Sequence, residues 1–288
     1  LEKRFVPGIF LWTGINYIGE TSEPGRRGSG SGLLDFAAFD TPSYHHFRTF
    51  WRDEPHIFAS TIELAASEYR LGPEGDVVDE EEGAWKRRTW GWQPYRMHWN
   101  YDEGDPIVVE VFSNCPEVEL FLDETSLGIR RLADFEDRII KWHLPFAAGR
   151  LRAVGHRGTD RVSYEIQTGG APARIALIPD KTVLAADGYD VVHLTAQLLD
   201  EIGNPVRYCE GEVTFEIDGD CRLLATDNGA NRSRDGYDSP TCLTHQGRCL
   251  LILQSTRTFG EISVKATGAG IESETTRIQV HQMPRDPA

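Results

Sequence analysis

Apolar runs separated by turn-forming clusters divide this chain into three stretches. Ile9 to Trp12 is short, fully apolar and flanked by Gly8 and Gly14, which predicts a strand buried on both faces, as in a parallel sheet. A Gly/Ser/Arg loop follows from Glu23 to Gly32. Thr41 or Ser43 can then cap a helix with Pro42 in its first turn, and Tyr44, Phe47, Phe50 and Trp51 recur at helical spacing to give it an aromatic face. From about 56 to 168 the pattern is strand-like: Ile107–Phe112, Val118–Leu122, Ile139–Leu144, Leu151–Val154 and Val162–Ile166, punctuated by Asn114-Cys115-Pro116 and Ala148-Gly149. Short strands at this spacing predict an antiparallel sandwich. Gly169 to Pro172 reads as a linker to a second sandwich over 171–282. Its strands are predicted at Ala173–Leu177, Val191–Leu199, Glu212–Ile217, Arg222–Ala225, Arg248–Gln254, Glu261–Ala266 and Thr275–Val280. Residues 283–288 form a tail, and the acidic, Trp-rich stretch at about 60–95 reads as an insertion.

Composition narrows the partners. A net charge of −15 disfavours nucleic acid and anionic membrane but does not repel neutral sugars. No apolar run approaches the roughly 18 residues of a membrane span, and Leu1 onward lacks the layout of a signal peptide. The compartment is left open between cytoplasm and export. The five cysteines (115, 209, 221, 242, 249) are odd in number and lack metal-site spacing. Cys115 and Cys249 lie in strand-like runs and read as small core residues, while a disulfide among the last four stays open.

The stretch Phe10-Leu11-Trp12-Thr13-Gly14-Ile15-Asn16-Tyr17-Ile18-Gly19-Glu20 resembles the eighth barrel strand and following loop of family 2 glycoside hydrolases, the β-galactosidase and β-glucuronidase group. Gly32-Leu33-Leu34-Asp35 before the helix, "Phe-Ser-Asn-Cys-Pro-Glu-Val-Glu-Leu-Phe-Leu-Asp" from Phe112, and the invasin-like run Ala186–Ala196 with Gly203–Val206 are similar to later parts of the same family. The resemblance implies a mainly β fold: two immunoglobulin-like antiparallel β-sandwiches preceded by the last strand and helix of a (β/α)8 barrel. Domains are then expected at 1–55, 56–168 and 171–282. The resemblance also implies that the chain begins inside that barrel, with both catalytic carboxylates upstream of Leu1, so no catalytic residue is assigned here.

Barrel chemistry sits at strand C-terminal ends, so the loop after Trp12 is where this chain reaches a substrate. By resemblance Trp12 floors a sugar subsite, with Asn16, Tyr17 and Glu20 beside it. Asn16 departs from the Asp usual in the motif and also reads as a loop-stabilising residue. Glu20 as a catalytic group lacks an evident second carboxylate. Trp90, Trp92 and Trp99 offer either a sugar-stacking platform or a packing patch. The Asp227–Asp238 stretch has oxygen ligands suited to calcium but no bidentate Glu in place, and Asn-Gly and Asp-Gly form turns unaided. His45 and His46 diverge on a helix and make a poor metal pair. No metal or cofactor is assigned. The expected partners are a β-galactoside-type carbohydrate and a barrel in the same polypeptide, and homo-oligomerisation is compatible with both. The rival reading is a non-catalytic carbohydrate-binding or adhesion module.

Overall fold

The computed structural model describes residues 5, 8, 10–21, 23–87, 92–233 and 236–282. Its first helix, α1 (Pro42–Trp51), starts where Pro42 sets the backbone and stops at extended Arg52. The Thr41 hydroxyl does not cap α1 but donates to Leu33 O at 2.7 Å. The first sandwich follows as β1 (Ile57–Glu63), the hairpin β2 (Tyr69–Leu71) and β3 (Val77–Asp79), the one-turn α2 (Ala84–Arg87), β4 (Pro106–Ser113), β5 (Glu117–Leu122), β6 (Thr125–Arg131), β7 (Ile139–Pro145), β8 (Arg150–Arg157) and β9 (Asp160–Gln167). One sheet has the order β1-β4-β7, the other β6-β5-β8-β9.

Alternation sorts the two faces of the first sheet. Ile57, Ala59, Val109, Val111, Ile140 and Trp142 face Val118, Leu120, Leu151 and Ala153 across the core. The opposite face is covered as well: Phe58 and Phe112 pack with Met97 and Ile139, and the His45 ring of α1 stacks on Phe58 at 3.7 Å. With both faces covered, β1 is buried from Ile57 through Ile62 and shows no alternation. The first strand of this sheet, Ile57–Glu63, therefore runs into the stretch expected to be an insertion at about 60–95.

The C-terminal sandwich comprises β10 (Arg174–Pro179), β11 (Val183–Ala185), β12 (Val191–Leu199), β13 (Glu212–Asp218), β14 (Cys221–Asp227), β15 (Thr241–Leu243), β16 (Arg248–Ser255), β17 (Gly260–Gly268) and β18 (Ile271–His281). The order β14-β16-β12-β10-β18-β17-β13-β15 wraps around one core; the parallel pairing of Arg174 with Glu272 joins its halves, and β11 also lies parallel to β18. Val192, Leu194, Ala196 and Leu198 point inward at every second position of β12. All five cysteines are free thiols, and Cys115, Cys242 and Cys249 are buried. No described helix is long and apolar enough to cross a membrane.

Two expectations about the N-terminal stretch are corrected. Phe10, Leu11 and Trp12 lie in no strand and are exposed, Phe10 completely; Ile9 lies outside the described residues. An apolar run becomes a doubly buried strand only with neighbours on both sides, and no described strand pairs with this one. Helix α1 is amphipathic as expected but turned the other way. Its buried residues are Pro42, Ser43, His45, His46 and Thr49, while Phe50 and Trp51 face outward. Most of the polar side can be buried because its groups find partners: Ser43 on Thr41, Thr49 on His46 O, and His45 between Asp40 and His56, while the His46 ring is enclosed by aromatic rings instead.

Candidate functional site

The residues after Trp12 form two limbs laid side by side. Leu33 and Leu34 N–H donate to Thr13 and Gly14 O at 3.1 and 2.9 Å, Asn16 N–H to Leu34 O at 2.9 Å, Ser29 N–H to Tyr17 O at 3.0 Å, and Gly19 N–H to Arg27 O at 2.9 Å. The approach is close enough to require glycine. A Cβ on Gly28 would sit 1.9 Å from Tyr17 O, and one on Gly32 would sit 2.4 Å from Asn16 N. This accounts for glycine at these two positions of the second limb.

At the open end of the limbs lies a cleft of about 780 Å³ lined by Trp12, Tyr17, Glu20, Ser29, Ser31 and Trp92, among others. Trp12 is 61% exposed. Its indole Nε1 donates to the Tyr17 hydroxyl at 3.1 Å, and the two rings meet edge to face at 5.9 Å. The Tyr17 hydroxyl in turn donates to Glu20 Oε2. This chain fixes the indole plane while leaving a face open, an arrangement suited to stacking against the C–H face of a pyranose. The Trp12–Thr13 peptide is cis.

Sequence reasoning named four residues on this loop, and three of them line the cleft together: Trp12, Tyr17 and Glu20. Asn16 does not. Its Oδ1 accepts the Gly32 N–H at 2.7 Å, so the side chain pins the second limb to the first. Glu20 has its own partner in Tyr17, while Glu23 is paired with Arg26 at 2.8 Å and with Arg232 at 2.9 Å. The two cleft carboxylates are thus bound separately, not arranged as an acid/base pair.

The three tryptophans proposed for stacking have different locations. Trp92 is half-buried, lines the same cleft as Trp12, and packs edge to face on Phe47 at 5.9 Å. Trp90 lies outside the described residues. Trp99 is corrected: it has no exposed surface, its Nε1 donates to Ala147 O at 3.0 Å, and it packs on Phe146 in the first core. A fully enclosed indole has no face to offer a sugar.

Sequence reasoning missed the groups that hold the cleft from behind. Arg27 on the second limb forms a bidentate pair with Asp227 at 2.6 and 2.7 Å, and its guanidinium lies 4.3 Å from the centre of the Phe36 ring. Arg248 reaches Asp40 Oδ1 at 3.3 Å and its backbone O at 3.1 Å. The His45 hydrogen bond and the Arg248 charge hold the Asp40 carboxyl well below the usual range, despite its burial. Asp35 accepts from Ala37 and Phe39 N–H, both at 2.9 Å, yet burial outweighs these bonds and raises it to about 6. No group of three metal-ligating side chains occurs among the described residues. Asp227 and Asn231, read from sequence as candidate calcium ligands, are engaged with Arg27 and Gly28 instead.

Comparison with known proteins shows what the chain is similar to. Residues 175–277 match the family described as glycoside hydrolase family 2 C-terminal domain 5, and residues 104–163 match a domain of unknown function, DUF4982. A β-galactosidase of Bacteroides ovatus is 27% identical over 98% of this chain, which covers 29% of that relative. A family 2 glycosyl hydrolase structure from Bacteroides cellulosilyticus superposes with a TM-score of 0.80 at 26% identity, over 94% of this chain and 35% of that one. A β-glycosidase from Bacteroides vulgatus gives 0.74 at 25% identity, over 92% and 30% respectively. Across almost its whole length the chain is related to the C-terminal part of glycoside hydrolase family 2 enzymes. It spans about a third or less of the length of these relatives.

Proposed function

We propose that this chain is the C-terminal accessory region of a retaining β-glycosidase of β-galactosidase type, and that residues 10–31 form one wall of its sugar site. The observation that carries the reading is the cleft that Trp12, fixed by Tyr17 and Glu20 at the exposed end of an apolar run, lines together with Trp92. In this reading Trp12 orients the sugar ring by stacking, while Tyr17 and Glu20 hold the indole and offer hydroxyl partners. Two carboxyl groups about 5–5.5 Å apart, as retention requires, come from a barrel elsewhere in the polypeptide. That barrel pairs with the run at Phe10–Trp12 and covers the outward aromatic face of α1. We take 1–55 as barrel remnant, and 56–168 and 171–282 as the two sandwich domains.

The 288-residue chain, folded as judged by circular dichroism, is expected to give no measurable hydrolysis of nitrophenyl β-glycosides. The full-length polypeptide should turn them over. Turnover by the short chain that survives Glu20→Gln would reject the assigned site, and turnover abolished by Glu20→Gln would make Glu20 catalytic.

A further inference from the structure

Residues 23–30, which build the outer rim of the cleft, are fixed from the far end of the chain. The Asn231 side chain reads the Gly28 backbone as a neighbouring strand would: its Nδ2 donates to Gly28 O at 3.0 Å and its Oδ1 accepts from Gly28 N–H at 3.3 Å. Arg27 N–H donates to Asn231 O at 2.9 Å. One residue away, the Arg27 fork closes on both oxygens of Asp227, with Tyr237 Oη accepting a third bond at 3.1 Å. The Arg27 and Asp227 side chains are only 12% and 11% exposed. A shielded bidentate pair fixes direction as well as distance, which a point charge on a flexible stem does not. The held segment is then bonded to the inner limb through Ser29 on Tyr17 O and Gly19 on Arg27 O, and Tyr17 bears on Trp12.

We propose that Arg27, Asp227 and Asn231 form a clasp through which the C-terminal sandwich positions the sugar-stacking loop, so that this domain is a working part of the binding site and not a spacer. The clasp rests on the reading of the cleft as a sugar site. Its members are positioning residues; none of them lines the cleft. Arg232 extends the contact at the rim, to Glu23 at 2.9 Å and Pro24 O at 3.3 Å.

The test uses the full-length polypeptide carrying Asp227→Asn, which keeps an acceptor for Gly229 N–H but removes the charge. Two readouts are taken: amide hydrogen exchange of residues 12–31, and steady-state kinetics on a nitrophenyl β-glycoside. Exchange in 12–31 should rise at least about tenfold while β12 and β16 stay protected. KM should rise about tenfold, with kcat changing less than about threefold. Arg27→Gln should behave alike, and the double variant should be no worse than either single one, because each change removes the same pair. Should Asp227→Asn fail to fold, Asn231→Ala interrogates the same clasp without leaving a buried charge. Unchanged exchange and KM in these variants, with KM raised by Trp12→Ala, would overturn the clasp. Faster exchange with KM unchanged in both the clasp variants and Trp12→Ala would instead overturn the sugar-site reading beneath it.

Discussion

Trp12→Ala in the full-length polypeptide is expected to lower kcat/KM for aryl β-glycosides at least about tenfold, equivalent to about 1.4 kcal/mol of transition-state stabilisation. The indole lines the cleft and is largely exposed, and its plane is set by the Tyr17 hydroxyl, itself held by Glu20. A rigid ring binds without ordering a side chain afterwards, so its loss should be felt in ground and transition states alike. Truncation of a Trp at the end of a run that packs on a barrel can also cost stability, so activity must be expressed per folded molecule. Trp12→Phe separates the contributions: it keeps a ring against Tyr17 but loses the Nε1 hydrogen bond and part of the stacking face. An intermediate kcat/KM is expected for Phe. Full activity per folded molecule for Phe, with Ala merely unfolding, would make Trp12 a packing residue.

Acid should destabilise the chain steeply between pH 6.5 and 4. Burial lowers His46, His56 and His98 each to about 4. A histidine with a depressed folded-state pKa binds fewer protons folded than unfolded throughout that window, so stability is lost as pH falls through it. Asp35, raised to about 6 by burial, works in the opposite sense: the folded state binds the extra proton, and stability rises as pH falls from 6 to 4. Three histidines outweigh one carboxyl. The two most enclosed rings, His46 and His98, correspond to about 3 kcal/mol each at full shift, against a total stability on the order of 5–15 kcal/mol for a typical domain. Thermal melts should show Tm falling continuously from pH 6.5 to 4. His46→Phe should flatten that slope, because Nδ1 of His46 has no hydrogen-bond partner among the described residues and the ring packs among Phe50, Phe112 and Trp92. A melt whose Tm is level from 6.5 to 4, or a slope indifferent to His46→Phe, would show that these rings are not held neutral by burial.

Regular alternation was readable where it has a single cause. Val191–Leu199 was identified to the residue because one face meets the core and the other does not. The exposed strand β6 escaped notice, since no residue of it is buried, and β1 was obscured by burial on both faces. The helix at Pro42–Trp51 was legible from its proline and aromatic spacing, but spacing says only that an apolar face needs cover, not which side is covered in this chain. At the site, the motif around Trp12 led to the cleft because its residues are close in sequence. Trp99 was indistinguishable from a displayed tryptophan until Ala147 and Phe146 were seen to enclose it. Arg27 and Asp227 are 200 positions apart, and neither stands in a pattern that announces the other. The acidic stretch at 227–238 offers oxygens that suit a metal ion, but the cation that Asp227 meets is a guanidinium.

The claim that the 10–31 loop is a sugar-binding wall is tested most directly by oxidative footprinting of Trp12 in the full-length polypeptide, with and without a saturating galactose-configured iminosugar. Stacking should exclude oxidant from the exposed indole, so the account predicts at least about fivefold slower modification of Trp12 with ligand bound, following the loss of its open face. Equal modification of Trp12 in the presence and absence of an inhibitor shown to be bound would contradict it.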